Sequence, residues 1–180
     1  QACPAFASTG VRVIATGDIA LPPASFIPAA SNGAQFKVNA GSNFPVNALA
    51  FDASTAEGIY TALRAANYGS GNLTLTLNWY ADTASSGDVI WGAQIAAITP
   101  DTDSQDIETK AFATANTATD SHLGTTGQRL HTCAITISNL DSLAANDWVA
   151  LRIYRDAAAG GDTMAGDALL TMAELSYSDT

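Results

Sequence analysis

The sequence predicts an all-β fold: an antiparallel, jelly-roll-like β-sandwich over residues 34–180, preceded by an irregular, extended N-terminal arm over residues 1–33. Three observations predict it. Apolar and polar residues alternate with period two in several short segments. Turn-forming Gly, Ser, Asn and Asp separate these segments roughly every ten to fifteen residues. No apolar stripe of period 3.6 persists over several turns, although about one residue in five is Ala, the best intrinsic helix former.

The arm is marked by Pro4, Pro22, Pro23 and Pro28, which interrupt any ladder or helix. Within it only Val11-Arg12-Val13-Ile14-Ala15 reads as a short strand. Past Asn32-Gly33 the texture changes. Gln35–Asn39 and Asn47–Phe51 are short strand candidates. Ser54–Asn67 opens on Ser54-x-x-Glu57, the spacing of a helical capping box, but Ile59, Thr61 and Leu63 alternate with Tyr60, Ala62 and Arg64, and strand spacing fits better. Asn72–Tyr80 is the clearest strand: Leu73, Leu75, Leu77 and Trp79 face one way, Thr74, Thr76, Asn78 and Tyr80 the other. Gly69-Ser70-Gly71 precedes it and Ser85-Ser86-Gly87-Asp88 follows it as turns. Asp88–Ile98 places Val89, Trp91, Ala93 and Ile95 on one face. Lys110–Ala115 is a weaker candidate. Gly127–Ser138 sets Cys133, Ile135 and Ile137 on one face. Leu140–Asn146 fits one helical turn. Asp147–Asp156 alternates Val149, Leu151 and Ile153 with Trp148, Ala150 and Arg152, and Ala168–Tyr177 closes the sandwich.

The charge pattern excludes several classes of function. The chain has 180 residues, 17 acidic and 7 basic side chains and a net charge of -10, yet only 13% of its residues are charged and 47% are hydrophobic. That hydrophobic share excludes intrinsic disorder. The scattered Lys37, Lys110, Arg12, Arg64, Arg129, Arg152 and Arg155 form no basic patch, so neither nucleic acid nor an anionic membrane is an expected partner. No apolar run reaches the ~20 residues of a membrane span. A first residue of Gln, not Met, points to a removed leader or a processed precursor. Cys3 and Cys133 stand either as two separate thiols or as a disulfide tying the arm to a late strand; such a bridge is worth ~4 kcal/mol in the chain-entropy model.

No residue set names an enzyme, and no cofactor is called for. Asp101, Asp103, Asp106 and Glu108 alternate in a loop and are candidate oxygen ligands for Ca²⁺. The run lacks the glycine and the spacing of an EF-hand, and a solvated loop between strands is favoured over a Ca²⁺ site. Asp156, Asp162 and Asp167 in the Gly160-Gly161 loop either converge on a cation or cap turns. His131-x-Cys133 projects two potential zinc ligands to one face of a strand, but His122 is nine residues away and a fourth ligand is missing. No Gly-x-Ser-x-Gly is present, and 17 acids make chance carboxylate pairs abundant. Trp79, Trp91, Trp148, Tyr60, Tyr68, Tyr80, Tyr154 and Tyr177 are candidates for either core packing or a sugar platform. Of these, Tyr80 and Trp148 lie opposite the strongest aliphatics of their strands and are the better surface candidates.

Four segments carry a resemblance. They are Ala50-Phe-Asp-Ala-Ser-Thr-Ala-Glu-Gly58; Leu73-Thr-Leu-Thr-Leu-Asn-Trp79 with Ser86-Gly-Asp-Val-Ile-Trp91; Leu140-Asp-Ser-Leu-Ala144 leading into Leu151-Arg-Ile-Tyr-Arg-Asp156; and Asp162-Thr-Met-Ala-Gly-Asp-Ala-Leu-Leu170. Together they resemble an uncharacterised family of β-sandwich proteins found among virion structural proteins of tailed phages and prophages, over roughly residues 45–178. The resemblance implies an extended strand in Ser54–Asn67 and no catalytic residues. On it, the chain is expected to be a non-enzymatic capsid decoration (cement) protein on the outer surface of the virion. It would bind major capsid protein at its junctions as a homo-oligomer, a trimer, with the arm as a clamp. The rival expectations are a carbohydrate-binding jelly roll, such as a tail-fibre module, and a glycan hydrolase.

Overall fold

The computed structural model describes residues 16–84, 86–124, 126 and 128–178. Among them are eleven strands and one 3₁₀ turn, Pro23–Ser25, with no α-helix. The strands are β1 (Thr16–Leu21), β2 (Ile27–Pro28), β3 (Gln35–Asn39), β4 (Val46–Phe51), β5 (Glu57–Arg64), β6 (Leu73–Ala81), β7 (Asp88–Ile98), β8 (Asn116–Ser121), β9 (His131–Ile137), β10 (Trp148–Arg155) and β11 (Ala168–Ser178). The first sheet runs β3-β4-β11-β6-β9, with β1 also on β11; the second runs β2-β5-β10-β7-β8. Every pairing of named strands is antiparallel. The molecule is a jelly-roll β-sandwich, as the periodicity predicts.

The period-two faces meet in the middle. Leu73, Leu75, Leu77 and Trp79 of β6 and Cys133, Ile135 and Ile137 of β9 pack against Val89, Trp91, Ala93 and Ile95 of β7 and Val149, Leu151 and Ile153 of β10. Trp91 is the hub, edge-on to Phe51 at 5.0 Å and to Trp79 at 6.1 Å. Burial of this aliphatic and aromatic area is the main stabilising term.

Three expectations need correction, while the strand reading of the segment after Ser54 holds, as β5. Residues 16–33, expected as part of an arm outside the sandwich, are woven into both sheets. β1 pairs along Ala173–Ser178 of β11, β2 pairs with β5, and Leu21 and Phe26 enter the core. The prolines sit where no ladder donor is needed, at the 3₁₀ turn and in the two-residue edge strand β2. Val11–Ala15 lies outside the described residues. The Ser54-x-x-Glu57 spacing caps a turn, with Asp52 as its centre. The Asp52 carboxylate accepts from the Ser54 and Thr55 amides at 2.7 and 2.8 Å, and the Glu57 carboxylate accepts from the Asp52 amide at 2.8 Å. Lys110–Ala115 is not a strand; the ladder starts at Asn116, although the Ala113 amide still reaches the Ile95 carbonyl at 2.9 Å. Leu140–Asn146 makes turns and no helical turn, because Asp141 and Ser142 both take positive φ, 52° and 61°.

β11 has a bulge between Leu170 and Met172. It falls where the edge of β11 passes from β4, which pairs up to Leu170, to β1, which pairs from Ala173. The extra residue, Thr171, is thereby placed on the rim of the groove described next.

Candidate functional site

The outer face of the first sheet carries a groove of about 470 Å³ lined by Asn39, Gly41, Phe44, Val46, Tyr80, Gln128, Leu130 and Thr171. Two of these, Tyr80 and Val46, belong to a small apolar cluster with Ala48, Ala50 and Leu169. The Tyr80 ring is buried there and its hydroxyl accepts a hydrogen bond from the Asn39 side-chain amide. Phe44 lines the groove from the β3–β4 turn and is 68% exposed. That turn depends on Gly41, whose φ is +59° and where a Cβ would come 2.2 Å from the Phe44 carbonyl oxygen. Leu130 joins the lining from the segment before β9. Gln128 is anchored by its Nε2 donating to the Asp82 carbonyl at 2.7 Å, and Thr171 by its hydroxyl donating to the Asn78 carbonyl at 3.0 Å. Among the described residues no Asp or Glu lines this groove. It offers an apolar, aromatic wall with an amide and hydroxyl rim.

The outer face of the second sheet is built differently. Tyr60, Arg152 and Gln94 lie side by side in register on β5, β10 and β7. The Arg152 guanidinium carbon is 4.6 Å from the Tyr154 ring centroid and 6.0 Å from that of Tyr60. Phe112 leans on Tyr60 at 6.0 Å.

The Ser86–Trp91 and Asp162–Leu170 segments form one structural unit around Arg155. This side chain continues the inward alternation of β10 and is fully buried. Its Nε and Nη2 donate to the two Asp162 carboxylate oxygens at 3.0 and 2.7 Å; Nη2 also reaches the Met164 carbonyl at 2.7 Å and Nη1 the Gly166 carbonyl at 2.8 Å. The same Asp162 carboxylate accepts from the Ile90 amide at 3.0 Å. Thr163 and Met164 amides donate to the Asp88 carbonyl at 2.8 and 3.0 Å. The Ser86–Trp91 and Asp162–Leu170 segments are therefore laced together, and Asp162 serves a guanidinium.

The other candidates are dispersed. Asp101, Asp103, Asp106 and Glu108 are exposed. Asp103 accepts from the Thr99 amide at 2.9 Å and Asp106 from the Glu108 amide at 2.9 Å, so these carboxylates hold their own turns. Among the described residues no group of three or more His, Cys, Asp or Glu is placed to hold a metal ion, which covers both the Ca²⁺ and the zinc candidates. His131 stacks on Trp79 at 4.7 Å and meets the His122 ring at a tilt, 4.6 Å away, beside Asp120, which accepts from the Trp79 indole at 2.8 Å. Burial, followed by the neighbouring His122, holds His131 below the usual imidazole range. Cys133 is a buried free thiol, and Cys3 lies outside the described residues. Trp79 and Trp91 are core. Trp148 is half-buried on the outer face of the second sheet, paired between Arg64 and Ile98. Tyr80, expected from the sequence at the surface, is instead buried and reaches the groove from beneath, packed among Ala48, Ala50 and Leu169, while Phe44, Leu130 and the polar rim were not foreseen. The one available signal was Phe44 itself, an aromatic in a Ser-Asn-Phe-Pro turn with no strand face to bury it.

No protein family and no curated protein matches the chain. Solved structures do. The CBM22-1 xylan-binding domain of Paenibacillus barcinonensis Xyn10C aligns with a TM-score of 0.52 at 9% identity, over 93% of this chain and 99% of that one. The Arthrobacter globiformis T6 isomalto-dextranase complexed with panose aligns with a TM-score of 0.53 at 15% identity, over 88% of this chain but only 23% of the enzyme. At such identities the likeness is one of fold, and that fold is the jelly-roll β-sandwich shared with carbohydrate-binding modules.

Proposed function

We propose that this chain is a non-catalytic binding module that takes a carbohydrate in the groove on the outer face of its first sheet. The observation that carries the reading is the pairing of an exposed aromatic wall, Phe44, with a buried aromatic floor, Tyr80, inside a rim of Asn39, Gln128 and Thr171. Sugars present apolar C–H faces and hydroxyl edges, and such a groove answers both. The fold shared with a xylan-binding domain supports it. So does the absence of carboxylates from the groove lining among the described residues, since glycoside hydrolysis needs a pair.

A second reading, the virion decoration protein with major capsid protein as partner, is favoured by one observation. Phe44, Leu130, Val38 and Phe36 are 68%, 61%, 59% and 52% exposed on or beside the same sheet. Exposed apolar side chains in such number mark a protein contact surface. One variant separates the two. Phe44→Ala leaves the fold intact and is expected to weaken retention on an immobilised neutral β-glycan by at least about tenfold, the loss of one stacked ring. If the parent chain binds no glycan on an array, the carbohydrate reading falls. If it also decorates phage shells in a particle reconstruction, and Phe44→Ala lowers that occupancy, the virion reading takes its place.

A further inference from the structure

We infer that the opposite face of the sandwich holds a second site, centred on Arg152, that reads the carboxylate of an acidic sugar of the hexuronate type. The proposal takes its ligand class from the carbohydrate reading and its position from evidence independent of the groove. Lys37, Lys110 and Arg155 pair with Asp82, Asp141 and Asp162. Arg152 is half-buried, yet among the described residues no carboxylate lies within 4.0 Å of it. Its Nε is buried and without a hydrogen-bond partner. That nitrogen is closed off by the protein, so a ligand would meet the outer Nη2, which has no hydrogen-bond partner among the described residues, and an anion there would balance a charge left without a counter-ion in a chain of 17 acids.

The surroundings hold this guanidinium in place. Gln94 Nε2 donates to the Ala113 carbonyl at 3.0 Å, which fixes the amide so that its oxygen accepts from Arg152 Nη1 at 2.7 Å. Tyr154 lies down on Gly92, where a Cβ would come 2.2 Å from the ring's Cζ, and so brings its face to the guanidinium. Any side chain at Gly92 would lift that ring. One planar fork with spare donors is suited to a carboxylate. The phenols of Tyr60 and Tyr154 and the apolar edge of Phe112 around it suit a hydroxylated ring bearing a single acid. A net charge of -10 works against a densely acidic peptide at the same place.

The test uses the full chain with trigalacturonate and its methyl ester, by calorimetry at low salt. Trigalacturonate is expected to bind about 10- to 100-fold more tightly than the ester, the span of a charge-assisted hydrogen-bonded pair. Arg152→Gln should abolish that preference and Arg152→Lys should keep part of it. Unaltered thermal melting of each variant checks folding. Equal affinity for acid and ester, or a preference that survives Arg152→Gln, overturns the inference even where neutral glycans still bind the groove. Binding of no saccharide, acidic or neutral, overturns this inference and the carbohydrate reading together.

Discussion

Cys133 illustrates how a residue's chemistry is set by where the fold puts it. The sequence places it on the apolar face of a period-two strand, next in phase to Ile135 and Ile137, and that much is legible without coordinates. Its reactivity is not, because reactivity depends on the layer packed above. Burial, helped by the charge of Asp120, pushes the thiol up to about 12. Only the thiolate is a nucleophile. In the native protein, iodoacetamide at pH 8 should therefore leave Cys133 unmodified over hours and label it within minutes in denaturant, read by peptide mass spectrometry. Rapid native labelling at Cys133 would show that the thiol is reached by solvent. The same contrast separates Arg155 from Arg152. They are three apart on one strand and so face opposite ways, one spent on Asp162 and three carbonyls, the other left with donors to spare. Composition counts them alike.

At the level of elements, legibility followed alternation. The long strands β6, β7, β9, β10 and β11 were readable because one face is almost purely apolar. β8, Asn-Thr-Ala-Thr-Asp-Ser, was missed because as an edge strand it buries little and carries no apolar signal. β1 was hidden by its prolines' neighbourhood and by two glycines' worth of turn signals before the sandwich. The Arg155 clasp was hidden for a different reason: its parts come from β10, the Asp162–Asp167 loop and the turn before β7, and only the closed fold brings them together. Its energetic weight can be measured. Asp162→Ala strips the counter-charge from a buried guanidinium and the acceptor from the Ile90 amide, and should cost about 3–5 kcal/mol in urea unfolding. Replacing the pair together, Arg155→Met with Asp162→Leu, should recover a large part of that loss. A single-variant cost below about 1 kcal/mol, the range of an exposed pair, would show that the clasp is not what holds the loop.

Across the whole molecule the two sheets are joined along one side, where β8 of one sheet meets β9 of the other. That seam is polar: Trp79 donates to Asp120, and His131 is stacked on Trp79 with the tilted His122 ring beside it. His131 is 3% exposed and its Nε2 has no hydrogen-bond partner. This seam gives the sandwich a response to acid above the range of its carboxylates. Burial lowers the proton affinity of His131 in the folded state, so below the ordinary imidazole value of about 6.5 the unfolded chain binds a proton that the folded chain resists. The unfolded state then holds more protons, and stability must fall as pH falls. The midpoint of urea unfolding should therefore drop between pH 7.5 and pH 5.5, above the range where carboxylates titrate. His131→Phe keeps the stack on Trp79 and removes both the titrating group and the unpartnered nitrogen. It should be at least as stable as the parent at pH 7.5 and should lose most of the pH slope. Parallel slopes for parent and variant would assign the acid sensitivity elsewhere and leave the seam as packing alone.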